Sequence, residues 1–107
     1  MKNKKTIQPV YHLRLYIAGA SPNSNRAINN IRIFCEEYLK GRYQLETIDV
    51  YQQPQIASND QVIALPLLIK SSPLPVKRLI GDMSDTERVK RGLDLDVSSM
   101  LNNANEG

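Results

Sequence analysis

Few residues in this chain have side chains that could carry out chemistry, and two of these occur only once. The single cysteine is Cys35 and the single histidine is His12. Thiol–disulfide exchange needs a second cysteine to resolve the mixed disulfide, usually in a Cys-x-x-Cys motif at a helix N-terminus. Zinc sites likewise combine several cysteine, histidine or carboxylate ligands. We therefore exclude dithiol redox chemistry and predict no metal or cofactor site.

The positions of these residues favour structural roles. Cys35 recurs with apolar residues at helical spacing, which predicts a place in a helix core, and His12 alternates with apolar residues along a predicted strand. The glycines are scattered and form no phosphate-binding loop. Two pairs of carboxylates that lack a histidine or metal partner are interpreted as solvated: Asp82 with Asp85, and Asp94 with Asp96. We therefore predict no enzymatic activity.

The positive charge of the chain is concentrated at its N-terminus. Lys2, Lys4 and Lys5 belong to the 14 basic residues, and the other 11 balance the 11 acidic ones. Nucleic-acid-binding proteins usually carry a basic patch on the folded surface, because counterion release drives that binding. The neutral body therefore disfavours nucleic-acid binding, and the lysines are interpreted as a solvated arm.

Apolar segments and the cysteine count indicate the compartment. Residues 1–10 lack the apolar core of a signal peptide. The longest apolar stretch, residues 62–69, is interrupted by Pro66 and is too short to span a bilayer. A lone cysteine forms no intrachain disulfide, so we expect a soluble, cytoplasmic protein without membrane contact.

Hydrophobic periodicity predicts a series of strands and helices. Residues 10–18 alternate as a strand, and residues 27–39 form an amphipathic helix with Ser21 or Ser24 as its N-cap and Gly41 as its stop. The later elements are a strand at 43–51, a short helix at 55–61, a strand buried on both faces at 62–69, a turn at 71–75, a strand at 76–80, and a helix that begins at the capping box 84–87.

This order, β-α-β-α-β-β-α, predicts one α/β domain of thioredoxin-like architecture. The first β-α-β unit implies a parallel strand pair, and the last three elements imply an antiparallel pair covered by a helix. We place the domain at residues 10–98, after a flexible basic arm at 1–9 and before a polar tail at 99–107.

The segment from residue 89 onward fits two structures. Its apolar residues at four-residue spacing predict a helix, although Gly92 within it costs about 1 kcal/mol relative to alanine. Leu93, Leu95 and Val97 also alternate with polar residues, which is the pattern of a strand. Both interpretations stay open from the pattern alone.

Several short motifs in this chain occur together in a known family. They are LRLYIAG at 13–19, SPNS at 21–24, GRY at 41–43, IDV at 48–50, ND at 59–60, ALP at 64–66, PLPVKRLIGD at 73–82 and RGLDL at 91–95. Taken without a gap over residues 10–97, this pattern resembles the KaiB family of cyanobacterial clock proteins and their wider bacterial homologues.

The resemblance implies a non-enzymatic protein with two folds. One is a ground state, commonly a tetramer, and the other is a rare thioredoxin-like monomer that docks on the ring ATPase KaiC. The half through Val50 is largely common to both folds, whereas residues 92–95 are strand in one and helix in the other. The expected partners are therefore a KaiC-type ATPase and further copies of this chain, as a dimer or tetramer.

The resemblance also assigns roles by position. Tyr11, Gly92 and Asp94 match residues that tune the balance of folds. Five residues match the KaiC interface: Arg26, Lys77 and the adjacent Arg78 as cations, and Glu46 and Gln61 where clock-type members commonly carry lysine. Helix propensity and helix-end charge then predict that Gly92→Ala and Asp94→Arg favour the helical form.

Two alternative functions stay open from the sequence. A KaiB-like sensor domain of a histidine kinase would share the thioredoxin-like form. A nucleic-acid-binding protein would use the lysines of the N-terminal arm.

Overall fold

The computed structural model describes residues 9–95 and has the predicted element order. The elements are β1 (Tyr11–Ile17), α1 (Pro22–Tyr38), β2 (Tyr43–Asp49), α2 (Pro54–Asn59), β3 (Leu67–Ser72), β4 (Lys77–Ile80) and α3 (Thr86–Gly92). The predicted tail at 99–107, residues 96–98 of the predicted domain and all of the predicted arm except Pro9 lie outside the described residues.

The four strands form one sheet in the order β2-β1-β3-β4. β1 is parallel to β2, antiparallel to β3, and β3 is antiparallel to β4. β1 and β2 are the parallel pair that the β-α-β pattern predicted. β3 and β4 are the antiparallel pair that was expected to lie beside the last helix.

Helices cover the two faces of the sheet unequally. Leu13 and Leu15 of β1 share a core with the apolar residues of α1 and with Val89 of α3. On the opposite face, Tyr16 and Ile69 pack in a smaller cluster that includes Ala57 of α2. Because α2 is only 6 residues long, part of this second face stays open.

Helix α1 agrees with the prediction and settles its N-cap. The hydroxyl oxygen of Ser21 accepts the backbone N–H of Ser24 at 3.1 Å, and Pro22 takes the first turn, where no N–H is needed. The predicted core residue Cys35 is fully buried. Gly41, predicted as the stop, adopts φ +79° in the turn that leads to β2.

The third strand lies further along the chain than predicted. The backbone N–H of Val62 is bound to Ala57 O at the end of α2, and Pro66 has no N–H for a ladder, so pairing starts at Leu67. Ser72, predicted as part of a turn, still pairs with His12 in the sheet. The apolar run misplaced the strand because backbone pairing extends into polar residues.

The ends of α2 and α3 also differ from the prediction. α2 ends at Asn59, and Gln61, predicted as helical, has φ +57°. The N-cap of α3 is Asp85, whose carboxylate accepts the Arg88 N–H at 3.1 Å, rather than the first residue of the capping box. Gly92 is helical, so the described part of the ambiguous segment follows the helical interpretation as far as Gly92.

Candidate protein-docking site

The five predicted partner-binding residues lie in three places. Glu46 and Arg78 line one groove on the face of the sheet that α2 partly covers, and Gln61 is held beside it by a hydrogen bond from Arg78 to its backbone oxygen. Lys77 of β4 lies beside the end of α3, and Arg26 lies on α1, which packs against the opposite face from the groove.

The groove has a volume of about 750 Å³ and lies across all four strands. Ile69 and Val76 supply apolar surface, and the polar lining includes His12, Arg14 and Asp60. An apolar floor with a charged rim is the usual composition of a protein-docking surface.

Arg14 organises the charges of the groove. Its Nε lies 3.1 Å from Glu46 Oε1, and its Nη1 lies 3.1 Å from Asp60 Oδ2. Asp60 also accepts a hydrogen bond from the hydroxyl of Tyr16. One guanidinium therefore joins a carboxylate of β2 to a carboxylate at the end of α2, and the charge of Glu46 is compensated within the chain.

Arg78 is bound to the backbone at the C-terminal end of α2. Its Nη1 donates to Asp60 O at 3.0 Å and its Nη2 donates to Gln61 O at 2.7 Å. The side chain of Arg78 therefore fixes the segment that carries Gln61, whose own side chain stays exposed.

Sequence reasoning did not assign Arg14 and Asp60 to the site. The sequence did contain a signal for Arg14, because it shares the polar face of the predicted strand with His12 and Tyr16. Asp60 carried no such signal, because its contact with Arg14 depends on how α2 packs against the sheet.

Two of the three residues predicted to tune the folds, Tyr11 and Asp94, lie beside Lys70, which the sequence did not single out. Lys70 of β3 has its Nζ 3.8 Å from Asp94 Oδ2, and Lys77 has its Nζ 3.6 Å from the same oxygen. The ring centroid of Tyr11 lies 5.8 Å from Lys70 Nζ. Burial lowers the pKa of Lys70, and the nearby carboxylate of Asp94 opposes that effect.

In the structure, a steric contact and a charge interaction also affect the expected outcomes of Gly92→Ala and Asp94→Arg. A β-carbon at Gly92 would lie 2.7 Å from Leu79 Cδ1 and 2.8 Å from its Cγ, so Leu79 would have to move. Asp94 has φ +61°, and an arginine there would face two lysines in place of the carboxylate. In this form, packing and charge therefore oppose the gain expected from helix propensity and helix-end charge.

Arg26 forms a separate cluster with the loop before α3. Its Nη2 donates to Asn23 Oδ1 at 2.6 Å, and its Nε lies 3.4 Å from Asp82 Oδ2. The pKa of Asp82 is lowered by hydrogen bonds from the side chain and backbone N–H of Ser84, and further by Arg26. This contact joins the first turns of α1 to the β4–α3 loop.

The remaining candidates for chemistry are the Cys35 thiol and the possible metal ligands. Burial, with a contribution from Glu36, raises the pKa of the Cys35 thiol to about 12. Within residues 9–95, no three His, Cys, Asp or Glu side chains are grouped to hold a metal ion. In the same range, no helix has the length and apolar character needed to cross a membrane.

Comparison with known proteins identifies the family. A family model described as the KaiB domain matches residues 14–95. The chain belongs to the KaiB family. A circadian clock oscillator protein KaiB from Prochlorococcus marinus (strain MIT 9312) is 53% identical over 85 residues, which are 79% of this chain and 81% of that protein.

Solved structures similar to this KaiB-family chain show the fold. The N-terminal domain of Synechococcus elongatus SasA superposes with a TM-score of 0.65 at 19% identity, over 81% of this chain and 86% of that domain. Mitochondrial thioredoxin 3 from Saccharomyces cerevisiae has the same TM-score of 0.65 at 16% identity, over 81% of this chain and 79% of that protein. The predicted thioredoxin-like α/β fold is confirmed.

Proposed function

We propose that this chain is a non-enzymatic, cytoplasmic regulatory protein that docks on a KaiC-type ring ATPase in its thioredoxin-like form. The observation that carries the proposal is the KaiB match over residues 14–95, which spans all five predicted interface residues. The regulation is of the clock type or a related stress type. The free chain is a dimer or tetramer, and docking selects the thioredoxin-like monomer.

The groove and the two outlying cations supply the docking contacts. The groove offers Ile69 and Val76 as apolar surface with Arg14 and Glu46 at its rim. Lys77 is 38% exposed and Arg26 is 57% exposed by side chain, so both can reach carboxylates of a partner. Charged groups of this kind contribute mainly to specificity and association rate.

The alternative of a KaiB-like sensor domain in a histidine kinase shares this fold but is less well supported. The SasA domain is 19% identical to the chain, whereas the curated KaiB relative is 53% identical. The lower identity supports a common fold alone, and the higher identity supports the KaiB assignment. Nucleic-acid binding through the lysines of the N-terminal arm has even less support, because the other 11 basic residues are balanced by 11 acidic ones and the groove carries carboxylates beside its cations.

The test is the affinity of the purified chain for a KaiC-type ring ATPase, measured with charge-reversed variants. Arg26→Glu and Lys77→Glu should each weaken binding by about tenfold or more, because a cation facing a partner carboxylate is replaced by an anion. Arg32→Glu, on the exposed surface of α1, is the matched control and should change affinity little. Absence of binding by the wild-type chain would refute the proposal.

A further inference from the structure

Lys70 is a cation on the face of the sheet that packs against α1 and α3. It is 1% exposed, and it lies on the same face of β3 as Leu68, which belongs to the core shared with α1 and α3. In the sheet its neighbours are Leu13 on β1 and Lys77 on β4. Lysine is almost never fully buried unless it is paired.

The groups that face Lys70 compensate its charge incompletely. Asp94 is the carboxylate beside it, at 3.8 Å, and Lys77 competes for the same oxygen at 3.6 Å. Both distances exceed the 2.7–2.9 Å or so of a strong charge-assisted hydrogen bond. From β1, Tyr11 presents its ring at 5.8 Å, and Arg42 lies 5.7 Å from that ring.

We propose that Lys70 limits the stability of the thioredoxin-like form, so that replacing it with a neutral side chain, or removing its proton, stabilises this form. Burying an ion whose partner is distant costs free energy that a buried methionine does not. Removing Lys70 does not leave Asp94 without a nearby cation, because Lys77 stays beside that carboxylate. The inference draws on the proposed function only in supposing that this form competes with a second fold.

The pH dependence follows from the direction of the shift. The pKa of Lys70 is lowered by burial, so between this lowered folded pKa and the unfolded lysine value of about 10.4 the folded chain holds fewer protons than the unfolded chain. Stability contributed by Lys70 therefore rises with pH through that window and levels off above it. Cys35 and Tyr43, whose pKa values are both raised to about 12, act in the opposite direction, so wild type must be compared with a Lys70 variant.

The experiment is urea unfolding of the wild type, Lys70→Met and Lys77→Met, each diluted until sedimentation shows a monomer and checked for the thioredoxin-like fold by helical carbon-13 shifts over Thr86–Gly92. At pH 7, Lys70→Met should lower the unfolding equilibrium constant about fivefold or more. The difference in free energy of unfolding between Lys70→Met and the wild type should decrease as the pH approaches about 10.4. Lys77→Met, which removes the cation that competes for Asp94, should stabilise the chain less than Lys70→Met does.

A second measurement needs no variant. In the wild type labelled with carbon-13 lysine and diluted to the same thioredoxin-like monomer, the Cε signal of Lys70 should titrate at a lower pH than those of the exposed lysines. Titration together with the exposed lysines, or no stabilisation by Lys70→Met beyond that of Lys77→Met, would overturn the inference. Neither result depends on a ring ATPase, so failure here is distinguishable from failure of the proposed function.

Discussion

Arg14 compensates the negative charges of two carboxylates that line the groove. Its guanidinium is shared between Glu46 and Asp60, with both contacts at 3.1 Å, so the acid at position 46 is not free to face a partner alone. Glu46 is 57% exposed, and an exposed pair of this kind contributes about 0–1 kcal/mol to stability. We therefore expect the pair to matter more for partner recognition than for folding.

Replacing Glu46 and Gln61 by lysine should increase affinity for a clock-type KaiC ring, because the resemblance places lysine at both positions in such members. The change also sets a cation beside Arg14, and the resulting loss of stability should stay near 1 kcal/mol because the site is exposed. Binding titration and urea unfolding measure the two effects. Gln52→Lys, in an exposed turn, is the control, and an unchanged affinity in the double variant would mean that these interface assignments are wrong.

Cys35 offers a prediction about reactivity in the folded chain. Its thiol is fully buried and its pKa is raised to about 12, whereas an unfolded cysteine has a pKa of about 8.5. Since the thiolate is the nucleophile, alkylation by iodoacetamide at pH 8 should be roughly a thousandfold slower in the native chain than in urea. Equal rates in the two conditions would contradict the buried placement.

The residue roles that sequence could predict are those that follow from periodicity. Cys35 was placed in the core by its spacing, and the structure confirms this. Lys70 was overlooked because a polar residue at the end of an apolar run resembles the start of a loop. The contact between Arg14 and Asp60 depends on tertiary packing, for which a single sequence holds no local signal.

Among the elements, α1 was the most predictable and β3 the least. The 17 residues of α1 combine a Ser–Pro start with a buried stripe, so local and tertiary preferences agree. The predicted β3 followed hydrophobicity, whereas the observed strand begins at Leu67, after Pro66, and extends to Ser72. Strand bounds depend on the partner strand, which periodicity does not describe.

The N-cap of α1 can be tested directly. Ser21→Ala removes the acceptor for the Ser24 N–H and should lower the free energy of unfolding by about 1 kcal/mol. Ser58→Ala, at an exposed position of α2, is the matched control and should change it by less than about 0.5 kcal/mol. Urea unfolding measures both, and equal effects would show that Ser21 does not cap the helix.

For the whole molecule, exposed apolar side chains support self-association. Ile63, Leu74 and Val76 are each more than half exposed and lie before or between β3 and β4. Sedimentation at micromolar concentration should therefore show a dimer or tetramer, and Leu74→Ser should weaken it because apolar contact area is removed. A monomer at every concentration would remove the proposed oligomeric ground state.

Docking of this chain on a KaiC-type ring ATPase in the thioredoxin-like form is measured most directly by carbon-13 chemical shifts of the labelled chain bound to such a ring. We expect helical shifts over Thr86–Gly92 and strand shifts over Leu67–Ser72 and Lys77–Ile80 in the bound chain. A chain that fails to bind, or that binds with strand shifts in place of helix at Thr86–Gly92, would contradict the proposed docking.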